Sequence, residues 1–225
     1  MAEVVETERP YCSNCQSLIP TFDAPVCEKC GRKRPLVGWP TDPWVGKKVA
    51  GRQYRVLRRL GSGGFGVVYE VETIVGGLKR ALKVLMEHWV LDKKVRERFI
   101  NEALLLEEIN HPNVARCFSA GIMDDGGGLY LLFELINGQP LSRLILDEDG
   151  APQSLEPLRA VRIAKQVASG LMAAHAKQIL HRDLKPANIL VVREEKSTEQ
   201  AKLLDFGIAK LLEVDVTSSG QLLGT

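Results

Sequence analysis

Three stretches of the chain, residues 54–60, 67–73 and 79–85, carry β-branched and apolar residues in short runs and predict three strands. Glycines punctuate them: Gly61-Ser62-Gly63-Gly64-Phe65-Gly66 lies between the first and second, and Gly76-Gly77 marks a turn into the third. The period then changes. Across 93–110, Val95, Phe99, Ala103, Leu106 and Ile109 recur at steps of three and four, predicting a helix that His111-Pro112-Asn113 ends. Residues 116–122 and 129–135 predict a hairpin around 124–128. Ser154 and Pro157 then open a longer helix to about Gln178, with Val161, Ala164, Ala168 and Leu171 on one stripe. Short strands are expected at 189–192 and 202–204. No internal repeat is visible. Strands with one helix, followed by mostly helix, predict an α+β arrangement of two lobes with the chemistry between them, and not a doubly wound sheet.

Residues 1–35 differ in character: four of the five cysteines fall here, large apolar residues are few, and Arg32-Lys33-Arg34 forms a basic run. Such a stretch needs a staple to fold. Residues 36–51, with Pro40 and Pro43 among Gly38, Trp39, Trp44 and Gly46, read as a linker, so the second domain is expected over 52–225.

Composition narrows the function classes. With 45% apolar residues among 225, the chain can bury one main core plus an appendage. Thirty basic and twenty-eight acidic residues leave a net charge of +2, so no nucleic-acid partner is expected. The first ten residues are acidic with no apolar core, and the apolar run 129–136 is short and interrupted by Glu134. No membrane segment is expected within the chain, and the expected location is cytoplasmic, with a span beyond Thr225 left open. Cysteines stay reduced there, and paired spacings then favour metal over disulfides.

The glycine cluster fits G-x-G-x-x-G at Gly61, Gly63 and Gly66, followed by Val68. Backbone N–H groups with no Cβ in the way suit a polyphosphate, although a tight hairpin turn wants glycines as well. A dinucleotide-binding version would open a helix; here the sequence continues as strand. Lys83 sits on the third strand, where lysines commonly face solvent. Glu102 on the next helix offers it an ion pair that would hold the ammonium against phosphates, or else pairs with Arg98 one turn away.

The segment His181-Arg182-Asp183-Leu184-Lys185-Pro186-Ala187-Asn188 is the most informative in the chain. Asp183, Lys185 and Asn188 offer a proton acceptor, a cation for developing negative charge and an oxygen ligand for Mg²⁺ within six residues. Asp205-Phe206-Gly207 adds a second hard ligand after a short strand.

With these strings in place, residues 52–225 resemble a serine/threonine protein kinase of the eukaryotic-like bacterial (Hanks) branch. The resemblance implies a bilobal fold, an antiparallel sheet with one helix in the small lobe and a mainly helical large lobe. It implies phosphoryl transfer from Mg-ATP to protein Ser or Thr hydroxyls, in bacterial signalling. Asp183 would accept from the substrate hydroxyl and Lys185 would steady the γ-phosphate; Asn188 and Asp205 would hold Mg²⁺. Leu60, Gly61, Ser62, Gly63, Gly64, Phe65, Gly66 and Val68 would line and cover ATP, with Val68 and Ala81 around adenine. Lys83 and Glu102 would fix the phosphates. Phe133 would narrow the back pocket, while Glu134 and Leu135 begin the hinge. Arg182 resembles the arginine that pairs with a phosphorylated loop, for which Thr217, Ser218 and Ser219 are candidates; Thr225 resembles the substrate-contacting threonine. Arg80 replaces a common valine. The family's Ala-Pro-Glu element is absent from the sequence, so a C-terminally truncated, unstable or inactive fragment is expected. The rival expectation is a catalytically silent module recruiting partners.

Cys12-x-x-Cys15 and Cys27-x-x-Cys30-Gly31, with eleven intervening residues, have the spacing of a zinc ribbon. Four thiolates suit tetrahedral Zn²⁺, which would supply folding energy, while redox-active cysteines are the alternative. Cys117 is expected to be a small buried hydrophobe.

Overall fold

A computed structural model describes residues 10–14, 19–42, 44–63, 66–85, 93–123, 128–147, 150–193 and 199–206. Two compact units emerge. The first comprises Met1–Leu91 with Gly121–Leu132, and the second Asp92–Ala120 with Phe133–Thr225.

The first unit is built on strands β1 (Lys48–Val49), β2 (Tyr54–Gly63), β3 (Gly66–Thr73) and β4 (Lys79–Leu85), antiparallel in that order. The sheet order continues through β6 (Leu129–Glu134) to β5 (Cys117–Ile122), of which Leu129–Leu132 and Gly121–Ile122 belong to this unit. Alternation buries Val56, Tyr69, Val71 and Leu82 on one face. The glycine cluster is not a separate loop. β2 runs through Gly61 and Gly63, whose partners are Val68 and Gly66, so only residues 64 and 65 connect the strands. Register shifts between Val56 and Arg58 and between Arg59 and Gly61 bend β2 ahead of that turn. Gly66 has φ +155°, and a Cβ there would lie 2.1 Å from the Val84 carbonyl oxygen, so the close approach of β3 to β4 requires glycine.

Residues 36–51, expected as a linker, contain packed side chains. Trp39 is buried and donates its Nε1–H to the Ala24 carbonyl at 2.7 Å. Asp42, also buried, accepts from the Trp44 N–H at 2.9 Å and from the Tyr69 hydroxyl at 3.2 Å, and lies 3.4 Å from the Arg59 guanidinium. Burial first, and the Asp42 charge second, push the Tyr69 hydroxyl above the ordinary phenol range. Val49 then pairs with Tyr54 as part of β1.

In the second unit, α1 (Lys93–Glu107) buries Phe99, Ala103 and Leu106, the stripe that its sequence period indicated, and ends three residues before the expected Asn110. α3 (Pro157–His175) starts from Glu156, whose carboxylate accepts from the Leu158 and Arg159 N–H groups; Ser154 is not the cap. Its C-terminal end likewise falls short of Gln178, which sits at φ +61° just past the helix. β7 (Gln139–Pro140), β8 (Ile189–Arg193) and β9 (Glu199–Leu203) form a small antiparallel sheet, and α2 (Leu141–Leu144) follows β7 directly. Asn113 fastens this sheet to α3: its Nδ2 donates to the Gln166 side chain and to the Ala201 carbonyl, and its own carbonyl accepts from the Leu203 N–H. Gly170 lets the helix come close, since a Cβ there would be 2.8 Å from the Asn113 oxygen and 2.9 Å from Leu203 Cδ1.

Cys117 is 2% exposed, as its sequence context suggested, and burial pushes its thiol up to about 12, with the Glu107 charge adding to the effect. The thiolate is the reactive form. The Cys117 peptide should therefore resist iodoacetamide at pH 8.5 in the native protein and alkylate fully in urea; equal labelling in both states, read by mass spectrometry, would contradict this burial.

Candidate active site

The segment between α3 and β8 is fixed at both ends. Ile179 donates back to the Ala174 carbonyl at 3.0 Å, and Leu204 donates to the Asn188 carbonyl at 2.9 Å, which brings the residue before Asp205 against the residue that precedes β8. Buried His181 packs its ring 4.7 Å from that of Phe206. Burial lowers the His181 pKa, against the opposing pull of Asp183 and Asp205, and so favours a neutral ring.

Within this frame Asp183, Lys185 and Asn188 share one cluster. Asn188 Nδ2 donates to the Asp183 carbonyl at 2.9 Å and to Asp183 Oδ2 at 3.0 Å. Lys185 Nζ lies 2.7 Å from the same Oδ2. Two donated bonds fix the Asn188 amide so that its nitrogen faces Asp183 and its Oδ1 turns away, leaving a neutral oxygen for a hard cation. The 3₁₀ turn Pro186–Asn188, closed by Asn188 N–H to the Lys185 carbonyl at 2.9 Å, holds that spacing. Arg182 and Asp205 both take left-handed backbone conformations, φ +57° and +50°. For non-glycine residues each costs about 1–2 kcal/mol, which the packing around them must offset. The Arg182 guanidinium lies 3.5 Å from Glu102 Oε1.

In the first unit the β2–β3–β4 register sets Gly61 opposite Val68, and Val68 opposite Lys83. Directly opposed residues share a face, as do residues two apart, so Val68, Ala81 and Lys83 stand on one side of the sheet. Leu60 is exposed at the end of the bulged stretch, and Ser62 pairs with Val67. Lys83 belongs to the first unit and Glu102 to the second. Glu134 and Leu135 are partly exposed in the second unit. The Glu134 carboxylate is 2.7 Å from Lys202 Nζ and accepts from the Arg116 N–H at 2.9 Å. Sequence reading did not anticipate this anchor; the residues are 68 apart, and no local pattern links them. Gly64, Phe65, Thr217, Ser218, Ser219 and Thr225 lie outside the described residues, as does Cys15.

Near the chain's start, Cys12, Cys27 and Cys30 place their sulfur atoms within 4.8 Å of one another, with Cys12 and Cys30 at 3.6 Å. Cys27 N–H to the Arg32 carbonyl and Gly31 N–H to the Cys27 carbonyl, both 2.8 Å, form the tight turn that presents the second pair.

Comparison with known proteins draws these observations together: residues 54–225 match the protein kinase domain family. The chain belongs to that family. It is 42% identical over 177 residues to the serine/threonine-protein kinase pkn2 of Myxococcus xanthus, covering 77% of this chain and 20% of that protein. It is 37% identical to PknA of Mycobacterium tuberculosis, covering 81% and 41%, and 34% identical to PrkC of Bacillus subtilis, covering 80% and 26%. Among solved structures, the kinase domain of Mycobacterium tuberculosis PknI superposes with a TM-score of 0.62 at 30% identity, covering 72% of this chain and 62% of that one. The chain thus spans between a fifth and two-fifths of these curated relatives' lengths. Kinases of this family use ATP with Mg²⁺ and act on proteins. No helix among the described residues is long and apolar enough to cross a membrane.

Proposed function

We propose that this chain carries the nucleotide-binding and catalytic-loop part of a serine/threonine protein kinase, transferring the γ-phosphoryl group of ATP to protein hydroxyls. The observation that supports this most is the Asp183–Lys185–Asn188 cluster, held by two donated amide bonds and followed by Asp205. In this reading Asp183 orients the acceptor hydroxyl and takes its proton as the oxygen attacks the γ-phosphorus and the bond to the bridging oxygen of ADP breaks. Lys185, bearing its charge beside Asp183, would meet the γ-phosphate. Asn188 Oδ1 and the Asp205 carboxylate would hold Mg²⁺, whose charge offsets that of the phosphates. Val68 and Ala81 would enclose adenine, Lys83 would meet the α- and β-phosphates, and the backbone at Glu134 and Leu135 would bind the adenine edge. The carboxylate of Glu134, tied to Lys202, serves to fix that backbone. Arg182 would receive a phosphorylated loop residue, Thr217, Ser218 or Ser219, in exchange for Glu102. Transfer of labelled phosphate from ATP to a protein acceptor, compared between the natural protein and Asp183→Asn, tests the reading.

The front segment is read as a structural zinc site of Cys12, Cys15, Cys27 and Cys30. Thiolates bound to tetrahedral zinc at about 2.3 Å sit about 3.8 Å apart, close to the Cys12–Cys30 separation, whereas a disulfide needs about 2.05 Å. Metal analysis should give about one zinc per chain, with loss of the metal in Cys27→Ser. A folded front segment without zinc would refute this assignment.

A further inference from the structure

The front segment ends in a feature that neither zinc binding nor kinase chemistry uses. Leu36 and Val37 occupy the centre of a tight turn closed by Gly38 N–H to the Pro35 carbonyl at 2.9 Å, and both are fully exposed, at 108% and 97%. Turn centres ordinarily carry glycine, asparagine, aspartate or proline, residues that water solvates or that fit the backbone. Here two adjacent aliphatic side chains protrude instead. The turn is braced from both sides: Arg34 N–H donates to the Pro25 carbonyl at 2.8 Å, and the neighbouring Trp39 is buried with its indole bonded to Ala24. The apolar pair is therefore held out on a stiff support.

Charge surrounds it. Arg32, Lys33 and Arg34 precede the turn and are all exposed, and Arg34 Nη2 lies 3.9 Å from where a Gly38 Cβ would stand, so one guanidinium sits against the turn itself. Asp23 is an anionic neighbour. Its carboxyl is held below the usual range first by a Thr21 hydrogen bond and last by the Arg34 charge, and it leaves the cations in excess.

We propose that this turn docks the protein peripherally on an anionic lipid surface, Leu36 and Val37 entering the acyl boundary while Arg32, Lys33 and Arg34 face the headgroups. The shape favours a bilayer over a protein partner. A protruding aliphatic pair would need a matching pocket on a protein, whereas a lipid surface yields to any protrusion and rewards insertion and positive charge together. This inference stands apart from the catalytic reading, because nothing in it involves ATP.

The test is co-sedimentation of the whole protein, its zinc content assayed beforehand, with phosphatidylcholine vesicles lacking or containing 30% phosphatidylglycerol. Binding to the anionic vesicles is expected, weakening as salt is raised, with little on the neutral ones. Leu36→Asp combined with Val37→Asp should weaken partitioning at least about tenfold while leaving zinc content unchanged. Replacing Arg32, Lys33 and Arg34 together by glutamine should weaken it to a similar degree. Absence of anionic-vesicle binding overturns the proposal. So does binding indifferent to the aspartate pair, or saturable binding to polyglutamate in place of vesicles, which would assign the patch to an acidic protein.

Discussion

Asp183→Asn should lower kcat for protein phosphorylation by about 10²- to 10⁴-fold, the usual loss when a positioned proton acceptor is removed. The substitution preserves shape and one oxygen for the Asn188 amide, so the 3₁₀ turn that spaces the cluster should persist. Lys185 loses its anionic partner and is expected to shift, adding to the loss. KM for ATP should change far less than kcat, because Asp183 is assigned to the acceptor hydroxyl and not to the nucleotide. Initial rates with labelled ATP, alongside a thermal melt confirming that the variant folds, distinguish a chemical from a structural effect. Rates within a few-fold of the natural protein would remove Asp183 from its proposed role.

The second large effect concerns stability and arises far from the chemistry in sequence. Asp42→Ala should destabilise the first unit by about 3–5 kcal/mol, because it removes the carboxylate that faces the buried Arg59 guanidinium. The Arg59 and Asp42 side chains are 2% and 3% exposed, and the same carboxylate also serves Tyr69 and the Trp44 N–H. At a few degrees per kcal/mol, the melting temperature should fall by roughly 10 °C. Arg59→Leu introduced together with Asp42→Leu should recover part of that loss, since an apolar pair carries no charge to desolvate while the Tyr69 hydroxyl and Trp44 N–H still lose their acceptor. Calorimetry of the single and double variants checks this. A single variant melting with the natural protein would show that water or another group already neutralises Arg59.

Asp42 also shows what the sequence could not disclose. Prolines and glycines around it indicated a connecting stretch, a sound reading of local chemistry, but its partners lie 17 and 27 residues on and no local pattern records them. Strands β2 to β4 and helix α1 were legible because alternation and a three-to-four-residue period extend over seven residues or more. β1 and β7, two residues each, and the four-residue α2 are too short to show any period. The cluster around Asp183 was legible for another reason: its members lie within six residues, so the spacing already limits their geometry. The Glu134–Lys202 anchor and the Arg182–Glu102 pair depend on folding and were not accessible in this way.

The separation between α3 and β9 is set by a missing methyl group. Because a backbone carbonyl and a leucine already fill the space where a side chain at 170 would begin, any side chain there would push the helix away from the Asn113 anchor and the sheet. A position with no chemistry of its own thus acts as a gauge for how closely the helix can approach Asn113 and β9.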